Sequence, residues 1–252
     1  PLPWPDDATA PAPAEAVQVA WNDGLARAEF DAALARIQRA IAAGELYQVN
    51  YTAPFTGQLQ HGSADALFAA LHRAQPGGYA AYIDAGDEHV LSVSPELFFD
   101  WRDDDDAEGG HIIARPMKGT APRGATPEQD AAHAEHLRTA PKERAENVMI
   151  VDLLRNDLSR IALPHTVQVP TLFHTQPLPT VWQMTSDVTA RTRPGTTLAD
   201  VFAALFPCGS VTGAPKVRAM QLIRDLEPGP RGVYCGAVGV VRPVEGSAGA
   251  DG

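Results

Sequence analysis

The chain has 252 residues, of which 44% are hydrophobic and 20% charged, so it can build one large domain or two modest ones around a sizeable core. Its formal net charge of −11 argues against a nucleic-acid surface. No apolar run approaches the length of a membrane span, and no signal peptide opens the chain. We therefore expect a cytoplasmic protein that binds neither nucleic acid nor membrane.

Cysteine and histidine give no pattern typical of a zinc site or a disulfide framework. Cys208 and Cys235 stand far apart and lack a CxxC partner, so two buried thiols are the expected state. His133 and His136 share a helical face, but the sequence shows no third ligand beside them. A metal role for this pair is therefore not expected.

The chain begins with a stretch rich in proline and alanine, and residues 1–28 are predicted to be a linker or the tail of an upstream region. Residues 29–252 are predicted to form the folded domain. Its first element is an amphipathic helix over 29–43, which Gly44 ends. The apolar face of this helix consists of Phe30, Leu34, Ile37 and Ile41.

Strands and helices follow one another without a regular alternation. Strands are predicted over 46–52, 79–83, 89–93, 97–99, 111–114, 166–170, 181–189 and 232–241. Helices are predicted over 64–74, 141–158 and 197–205, and Thr126-Pro127-Glu128-Gln129 matches a capping box that opens one more. The acidic run 103–106 is predicted to be a solvated loop. This mixture favours an α+β architecture over a parallel barrel.

Phe206–Lys216 is a glycine-bearing loop that leads into a helix with Val217, Met220, Ile223 and Leu226 on its apolar face. Ser210, Thr212 and Gly213 come just before this helix, where hydroxyls can cap free backbone N–H groups. A helix start among small residues is a natural anion site, suited to a ligand that carries carboxylates. The alternative is an ordinary capped helix after a turn.

Lys118 is a candidate nucleophile at the end of a predicted strand. A nucleophilic lysine needs a lowered pKa, from desolvation or from a nearby cation. Arg115 and Arg123 are close in sequence and could supply that charge. The alternative is a surface lysine in a turn rich in glycine and proline.

Three carboxylates stand among apolar neighbours. Glu96 follows Ser-Pro, where a raised pKa would suit a general acid; the alternative is a solvent-side residue on a half-buried strand. Glu146 and Asp152 interrupt an apolar helix, where carboxylates need a partner or a metal such as Mg²⁺. The alternative is a structural pair held by Arg144 or Arg155.

Taken together and in this order, the motifs resemble the chorismate-utilising enzymes, which include aminodeoxychorismate synthase component I, anthranilate synthase component I, and isochorismate and salicylate synthases. The resembling segments are 44–52, 94–99, 115–124, 144–160, 206–220 and 234–240. The resemblance implies an α+β fold of antiparallel sheets with helices packed outside, incomplete at both ends. It also implies that 29–252 is a chorismate-binding catalytic domain.

Roles for single residues follow from the same resemblance. Glu96 would be the general acid for the departing hydroxyl, and Glu146 would bind Mg²⁺. The substrate-binding residues that it implies are Gly209, Ser210, Thr212, Tyr234, Gln183 and Thr120.

Lys118 separates the subfamilies, because Pro116-Met117-Lys118-Gly119-Thr120 resembles the lysine motif of aminodeoxychorismate synthases, where anthranilate synthases typically carry alanine. In the family, that lysine attacks C2 of chorismate and expels the C4 hydroxyl. Ammonia then adds at C4 and releases the lysine. The implied product is 4-amino-4-deoxychorismate, a precursor of para-aminobenzoate and folate, with ammonia from a glutamine amidotransferase subunit or fused domain.

This sequence departs from the family pattern in two respects. Gln183 stands where many members have histidine, and glutamine can donate a hydrogen bond but cannot carry a proton at neutral pH. The pattern also continues beyond Gly252, where the second magnesium glutamate is expected. We therefore expect residues 1–252 to be inactive by themselves.

Alternatives of two kinds remain open at this stage: a different chorismate-converting enzyme and a non-catalytic module. An anthranilate synthase would eliminate pyruvate instead, and Lys118 argues against it. Isochorismate and salicylate synthases use water and carry a lysine base elsewhere. The second alternative is a non-catalytic module that binds chorismate or docks an amidotransferase.

Overall fold

The computed structural model describes residues 17–22, 24–103 and 109–243. Most of the predicted linker and residues 104–106 of the acidic run lie outside these ranges, so both predictions stay open there. Within the predicted linker, Gln18–Asn22 forms a strand. The described residues contain no helix that is long and apolar enough to cross a membrane.

Helices and strands are interspersed along the chain. The helices are α1 (Arg27–Ala42), α2 (Ala64–Ala74), α3 (Pro127–Thr139), α4 (Pro141–Ser159), α5 (Leu198–Leu205), α6 (Gly209–Thr212) and α7 (Lys216–Leu226). The strands are β1 (Gln18–Asn22), β2 (Gln48–Val49), β3 (Thr56–His61), β4 (Tyr79–Asp84), β5 (His89–Ser94), β6 (Leu97–Arg102), β7 (His111–Arg115), β8 (Met117–Pro122), β9 (Gln168–Pro177), β10 (Val181–Arg191) and β11 (Gly213–Ala214).

The described chain divides into two compact units. One takes in the residues up to Ala32 together with Ala53–Pro95, and it holds β1 paired with β3, the β4–β5 hairpin and α2. The predicted helix over 64–74 is confirmed here, and the predicted strands over 79–83 and 89–93 are confirmed as the two arms of the β4–β5 hairpin. The other unit takes in Ala33–Thr52 and the chain from Glu96 onward, and it contains every predicted site residue.

The second unit is built around β10, which is antiparallel to each of its neighbours. Along its full length β10 pairs with β9, while its first half pairs with β8 and its second half with β7. β6 then pairs with β7 and completes a five-stranded sheet. One long strand therefore brings the ends of β7 and β8 next to each other, and with them the chain around Lys118.

Helix α4 covers the apolar face of this sheet. Its buried side chains pack with Ala114 of β7, Val188 of β10 and Val201 of α5 in one core cluster. The α4 members of that cluster are Ile150, Val151, Leu154 and Leu158. Burial of each aliphatic side chain contributes roughly 1.5–3 kcal/mol, so this face fixes α4 against the sheet.

Two predicted strands are corrected by the structure. Of the stretch 46–52, only Gln48–Val49 is a strand, because its partner β11 is itself two residues long. The stretch 232–241 is not a strand but turns and irregular chain, and Val233, Val240 and Val241 are more than 60% exposed. Within the described residues no strand lies beside this stretch, so it has no partner with which to form a sheet.

The predicted apolar faces of α1 and α7 are only partly buried. On α7, Val217 is 69% exposed, whereas Ala219 and Leu222 are buried. On α1, Ile37 is buried as predicted, but Leu34 is 38% exposed. The two helices pack with Leu46 in one small core cluster. Each helix therefore buries a narrower row of side chains than the sequence pattern indicated.

Candidate functional site

The segment Gly209–Thr212 forms a buried single turn, α6, and not the cap of the following helix. The predicted capping by Ser210 and Thr212 is wrong. The Thr212 hydroxyl donates to the Cys208 carbonyl at 3.0 Å, and the Ser210 Oγ lies 3.1 Å from the Cys208 Sγ. The start of α7 has no side-chain cap, because the strand β11 separates it from these hydroxyls.

The chain around Asn50 holds this segment from the other side. Its side-chain amide donates to the Ser210 carbonyl at 2.6 Å, and its backbone N–H donates to the Thr212 carbonyl at 2.8 Å. Gly213 has φ 145°, and a Cβ at this position would stand 2.2 Å from the Gln48 carbonyl oxygen. Only glycine lets β2 and β11 approach this closely.

Arg231 also holds the segment Gly209–Thr212 in place, and the sequence analysis did not identify this residue. Its guanidinium donates to the carbonyls of Val211 and Asn50, each at 2.7 Å, and pairs with Glu227 at 2.7 Å. No local signal pointed to it, because Pro228-Gly229-Pro230 separate Glu227 from Arg231 and exclude a helical i, i+4 pair. The N–H of Tyr234 closes the turn that follows by donating to the Arg231 carbonyl, and the Tyr234 side chain is 62% exposed.

Glu96, Lys118 and Ser210 come together in the second unit, although 114 positions separate the first from the last (210 − 96). The Met117 N–H donates to the Glu96 carboxylate at 3.4 Å. Burial raises the pKa of Glu96, while the Ser210 hydroxyl, the Met117 N–H and the Lys118 charge oppose that rise. A carboxyl with a raised pKa next to a hydroxyl and an ammonium can act as a proton donor.

Cys208 lies against the same group. Burial is the main cause of the raised pKa of its thiol, and the Glu96 charge adds to it. The thiol therefore stays protonated at neutral pH and is a poor nucleophile. This leaves the lysine as the candidate nucleophile among these neighbours.

Lys118 lies within β8, and its two neighbouring arginines are already paired. Arg115 forms a two-point ion pair with Asp187 at 2.6 and 3.2 Å, and Arg123 forms one with Asp130 at 2.8 and 2.6 Å. Carboxylates therefore already accompany the charges of both arginines. The Lys118 backbone carbonyl accepts a hydrogen bond from the Asn147 side chain at 3.4 Å.

Thr120 and Gln183 face each other across β8 and β10. They are partners in the strand register, and the Thr120 hydroxyl donates to the Gln183 side-chain oxygen at 3.2 Å. Since that oxygen accepts, the amide nitrogen of Gln183 is directed elsewhere and can donate to a ligand.

Glu146 lies on α4 and is 40% exposed at its side chain, with only a loose ion pair to Lys142 at 3.8 Å. Asp152, by contrast, forms an ion pair with Arg155 at 2.7 Å, as expected if this carboxylate is structural and does not bind a metal. The described residues contain no cluster of three or more His, Cys, Asp or Glu that could hold a metal ion. A single accessible carboxylate still fits Mg²⁺, which takes one or two carboxylates and fills its other positions with water and ligand oxygens.

A cavity of about 610 Å³ lies away from these groups. Arg102, His111, His165 and Arg191 are among its lining residues, and none of the predicted site residues is. The cavity is therefore not part of the predicted site.

Comparison with known proteins gives a decisive match over nearly the whole chain: the family model described as "chorismate binding enzyme" matches residues 5–249. The chain belongs to the chorismate binding enzyme family. The resemblance recognised in the motifs is thereby confirmed.

Relatives with assigned names within this family include two kinds of synthase. The chain is 44% identical to aminodeoxychorismate synthase component 1 of Klebsiella aerogenes, over 94% of this chain and 51% of the relative. It is 38% identical to anthranilate synthase component 1 of Streptomyces coelicolor, over 91% of this chain and 44% of the relative. The chain thus spans about half the length of these curated relatives.

A solved structure supports the fold assignment. The crystal structure of anthranilate synthase component I from Streptococcus pneumoniae superposes with a TM-score of 0.73 at 29% identity, over 83% of this chain and 44% of that one. The α+β fold with antiparallel sheets is therefore confirmed. The roles predicted for single residues in this chorismate binding enzyme are tested by none of these matches and stay predictions.

Proposed function

We propose that this chain is the chorismate-binding part of an aminodeoxychorismate synthase component I, which converts chorismate and ammonia to 4-amino-4-deoxychorismate. The observation that carries the proposal is that the buried Glu96 carboxylate accepts a hydrogen bond from the N–H of Met117, the residue before Lys118, at 3.4 Å. Further support comes from the 44% identity to a relative of that name. The product would feed the synthesis of para-aminobenzoate and folate.

The proposed reaction uses both groups in turn. The neutral amine of Lys118 forms a bond to C2 of chorismate, both ring double bonds shift by one position, and the C4 oxygen departs as water with the proton of Glu96. Ammonia then bonds to C4, both double bonds shift back, and the bond from C2 to the lysine nitrogen breaks, which releases the neutral lysine amine and leaves an ammonium group at C4. Splitting one displacement into two steps is the advantage of covalent catalysis.

The substrate would be held by the surrounding groups. Ser210 and Thr212, with the backbone of Gly209, would bind a carboxylate, and the free donor of Gln183 would orient the ring beside Thr120. Tyr234 would cover the pocket from its exposed turn. Glu146 would hold Mg²⁺, which would neutralise a substrate carboxylate when bound.

A partner that supplies ammonia is part of the proposal, because the names of the relatives designate a first component. A glutamine amidotransferase, as a separate subunit or fused domain, would be that partner. We also place the reaction in the cytoplasm. Both cysteines are free thiols in the structure, which is in keeping with a reducing compartment.

The proposal is tested on the complete gene product, incubated with chorismate, Mg²⁺ and an ammonium salt, with products identified by chromatography and mass detection. We expect a product that a 4-amino-4-deoxychorismate lyase converts to 4-aminobenzoate. Anthranilate would instead support the second candidate, which is favoured by the 38% identical anthranilate synthase relative. Bound chorismate without product would favour the binding-module alternative.

A Lys118→Ala variant, assayed alongside, separates the covalent step from the rest. We expect loss of 4-amino-4-deoxychorismate formation, and a lysine adduct of chorismate in the unmodified protein only. Full activity of the variant would contradict the covalent step.

A further inference from the structure

A directed chain of hydrogen bonds ends at the backbone of Lys118. The Phe173 N–H donates to the Ser186 hydroxyl at 3.2 Å, and that hydroxyl donates to the Asn147 side-chain oxygen at 2.6 Å. The Asn147 amide nitrogen donates in turn to the Lys118 carbonyl at 3.4 Å. The chain crosses four elements in the order β9, β10, α4 and β8.

The two middle side chains are buried and depend on each other. Ser186 is 0% and Asn147 is 1% exposed. A buried hydroxyl or amide without a hydrogen-bond partner is unfavourable, so each of these groups is held in place by the other. The pair therefore behaves as one rigid support between the sheet and α4.

The backbone on the sheet side is irregular where this support begins. The register of β10 against β9 shifts between Thr185 and Asp187, so that Ser186 lies in an irregularity of the ladder. Phe173, opposite, has φ 57°, a left-handed conformation that is costly for an aromatic residue. Irregularities of this kind re-aim a side chain, often beside a functional site.

Helix α4 also contacts this irregular part of the sheet. The Arg144 guanidinium lies 4.4 Å from the centroid of the Phe173 ring, one turn before Asn147. Asn147 is in addition the residue next to Glu146. One helix therefore carries the candidate metal carboxylate, the support for Lys118 and the contact to the irregular strand.

We infer that Asn147, held by Ser186, is a positioning residue that fixes the β8 backbone at Lys118 relative to Glu146. Asn147 and Ser186 touch neither substrate nor metal in this inference, which rests on the proposed function of Lys118. Their effect is to keep the lysine amine at bonding distance from C2 while the substrate carboxylates stay where the rest of the site holds them. A displacement of about 1 Å can lower a rate by about a hundredfold.

The test uses Ser186→Ala, Asn147→Ala and the double variant in the complete gene product, with single-turnover trapping of the lysine adduct by rapid quench and mass detection. We expect adduct formation to slow by about tenfold to a hundredfold, with the KM for chorismate changed by less than twofold. The double variant should be no slower than the slower single variant, because the two residues act as one support. The control is Thr185→Val, which removes a neighbouring buried hydroxyl and should leave the rate unchanged.

Each outcome bears on one claim only. Wild-type adduct rates in both single variants, with Lys118→Ala inactive, would overturn the positioning role and keep the proposed function. An active Lys118→Ala would overturn the proposed covalent step itself. Equal rate losses in Thr185→Val and Ser186→Ala, or a rise of KM without a loss of rate, would also overturn the positioning role.

Discussion

The Lys216 ammonium donates to the Asp157 carboxylate at 2.5 Å and to the Leu205 carbonyl at 3.1 Å. The pair is buried, with 15% of the lysine side chain and 7% of the aspartate side chain exposed. Lys216 begins α7, Asp157 lies near the end of α4, and Leu205 ends α5. This contact therefore fixes the position of Gly209–Thr212, which lies between α5 and α7.

Replacement of Lys216 by Met should lower the free energy of unfolding by about 3–5 kcal/mol, because it leaves the buried Asp157 carboxylate without its cation. Burial raises the pKa of Asp157, so the loss should shrink as the pH falls and the carboxyl becomes neutral. Denaturant titrations at two pH values measure both effects. Arg155→Met is the matched control, since its ion pair with Asp152 is exposed. Equal losses in the two variants would contradict the structural role of Lys216.

Glu96→Gln should abolish activity without lowering the free energy of unfolding at neutral pH. The folded-state pKa of Glu96 is raised above its ordinary value of 4.5, mainly by burial. Its contribution to stability is therefore greatest below the unfolded pKa and is lost as the pH rises through the folded pKa. At neutral pH the variant should be at least as stable as the unmodified protein in denaturant titrations, and inactive for lack of a proton donor. A variant that is less stable at neutral pH would contradict the burial cost, and an active one the general-acid role.

Glu146→Gln should raise the magnesium concentration needed for half-maximal activity of the complete protein by about tenfold or more, because it removes the charge of the proposed metal ligand. Asp152→Asn on the same helix is the control, since Asp152 already pairs with Arg155. The measurement is a magnesium titration at saturating chorismate. An unchanged titration for Glu146→Gln would move the metal to other ligands.

Gly213→Ala should destabilise the protein for two reasons that can be measured apart. At φ 145° an L side chain is strained, and the added Cβ would stand 2.2 Å from the Gln48 carbonyl oxygen. Gly195→Ala has no steric contact and carries only a milder backbone cost, because φ is 76° and nothing lies within 4 Å of its Cβ. We expect the control to lose about 1–2 kcal/mol and Gly213→Ala clearly more by chemical denaturation. Equal losses in the free energy of unfolding of the two variants would mean that β2 moves to make room for the new methyl group.

Local signals in the sequence predicted the elements that depend on local interactions. The Thr126 hydroxyl accepts from the Gln129 N–H at 3.3 Å, as the capping motif indicated, and α4 runs over Pro141–Ser159 where a helix was predicted over 141–158. The stretch 46–52 was harder to predict, because its pairing depends on two residues at 213–214. No propensity within a short window carries that information.

The candidate site divides in the same way. Glu96, Lys118 and Ser210 were recognisable from family motifs, and the structure brings these three together. The bonds that hold them were not predictable, because Asn147 and Ser186 meet only when α4 packs on β10. The capping of α7 by Ser210 and Thr212 was predicted wrongly for a similar reason. The strand β11, which separates these residues from α7, forms only by pairing with β2, which is distant in sequence.

The hydrogen bond from Asn50 to the Ser210 carbonyl joins residues 160 positions apart, and this has a consequence for how the protein is made. At about 5–20 residues per second, roughly ten to thirty seconds of translation separate the synthesis of its two ends. Throughout that interval β2 has no partner, but a strand of two residues offers little edge for aggregation. The segment Gly209–Thr212 is therefore completed late in synthesis, after the central sheet has all its strands.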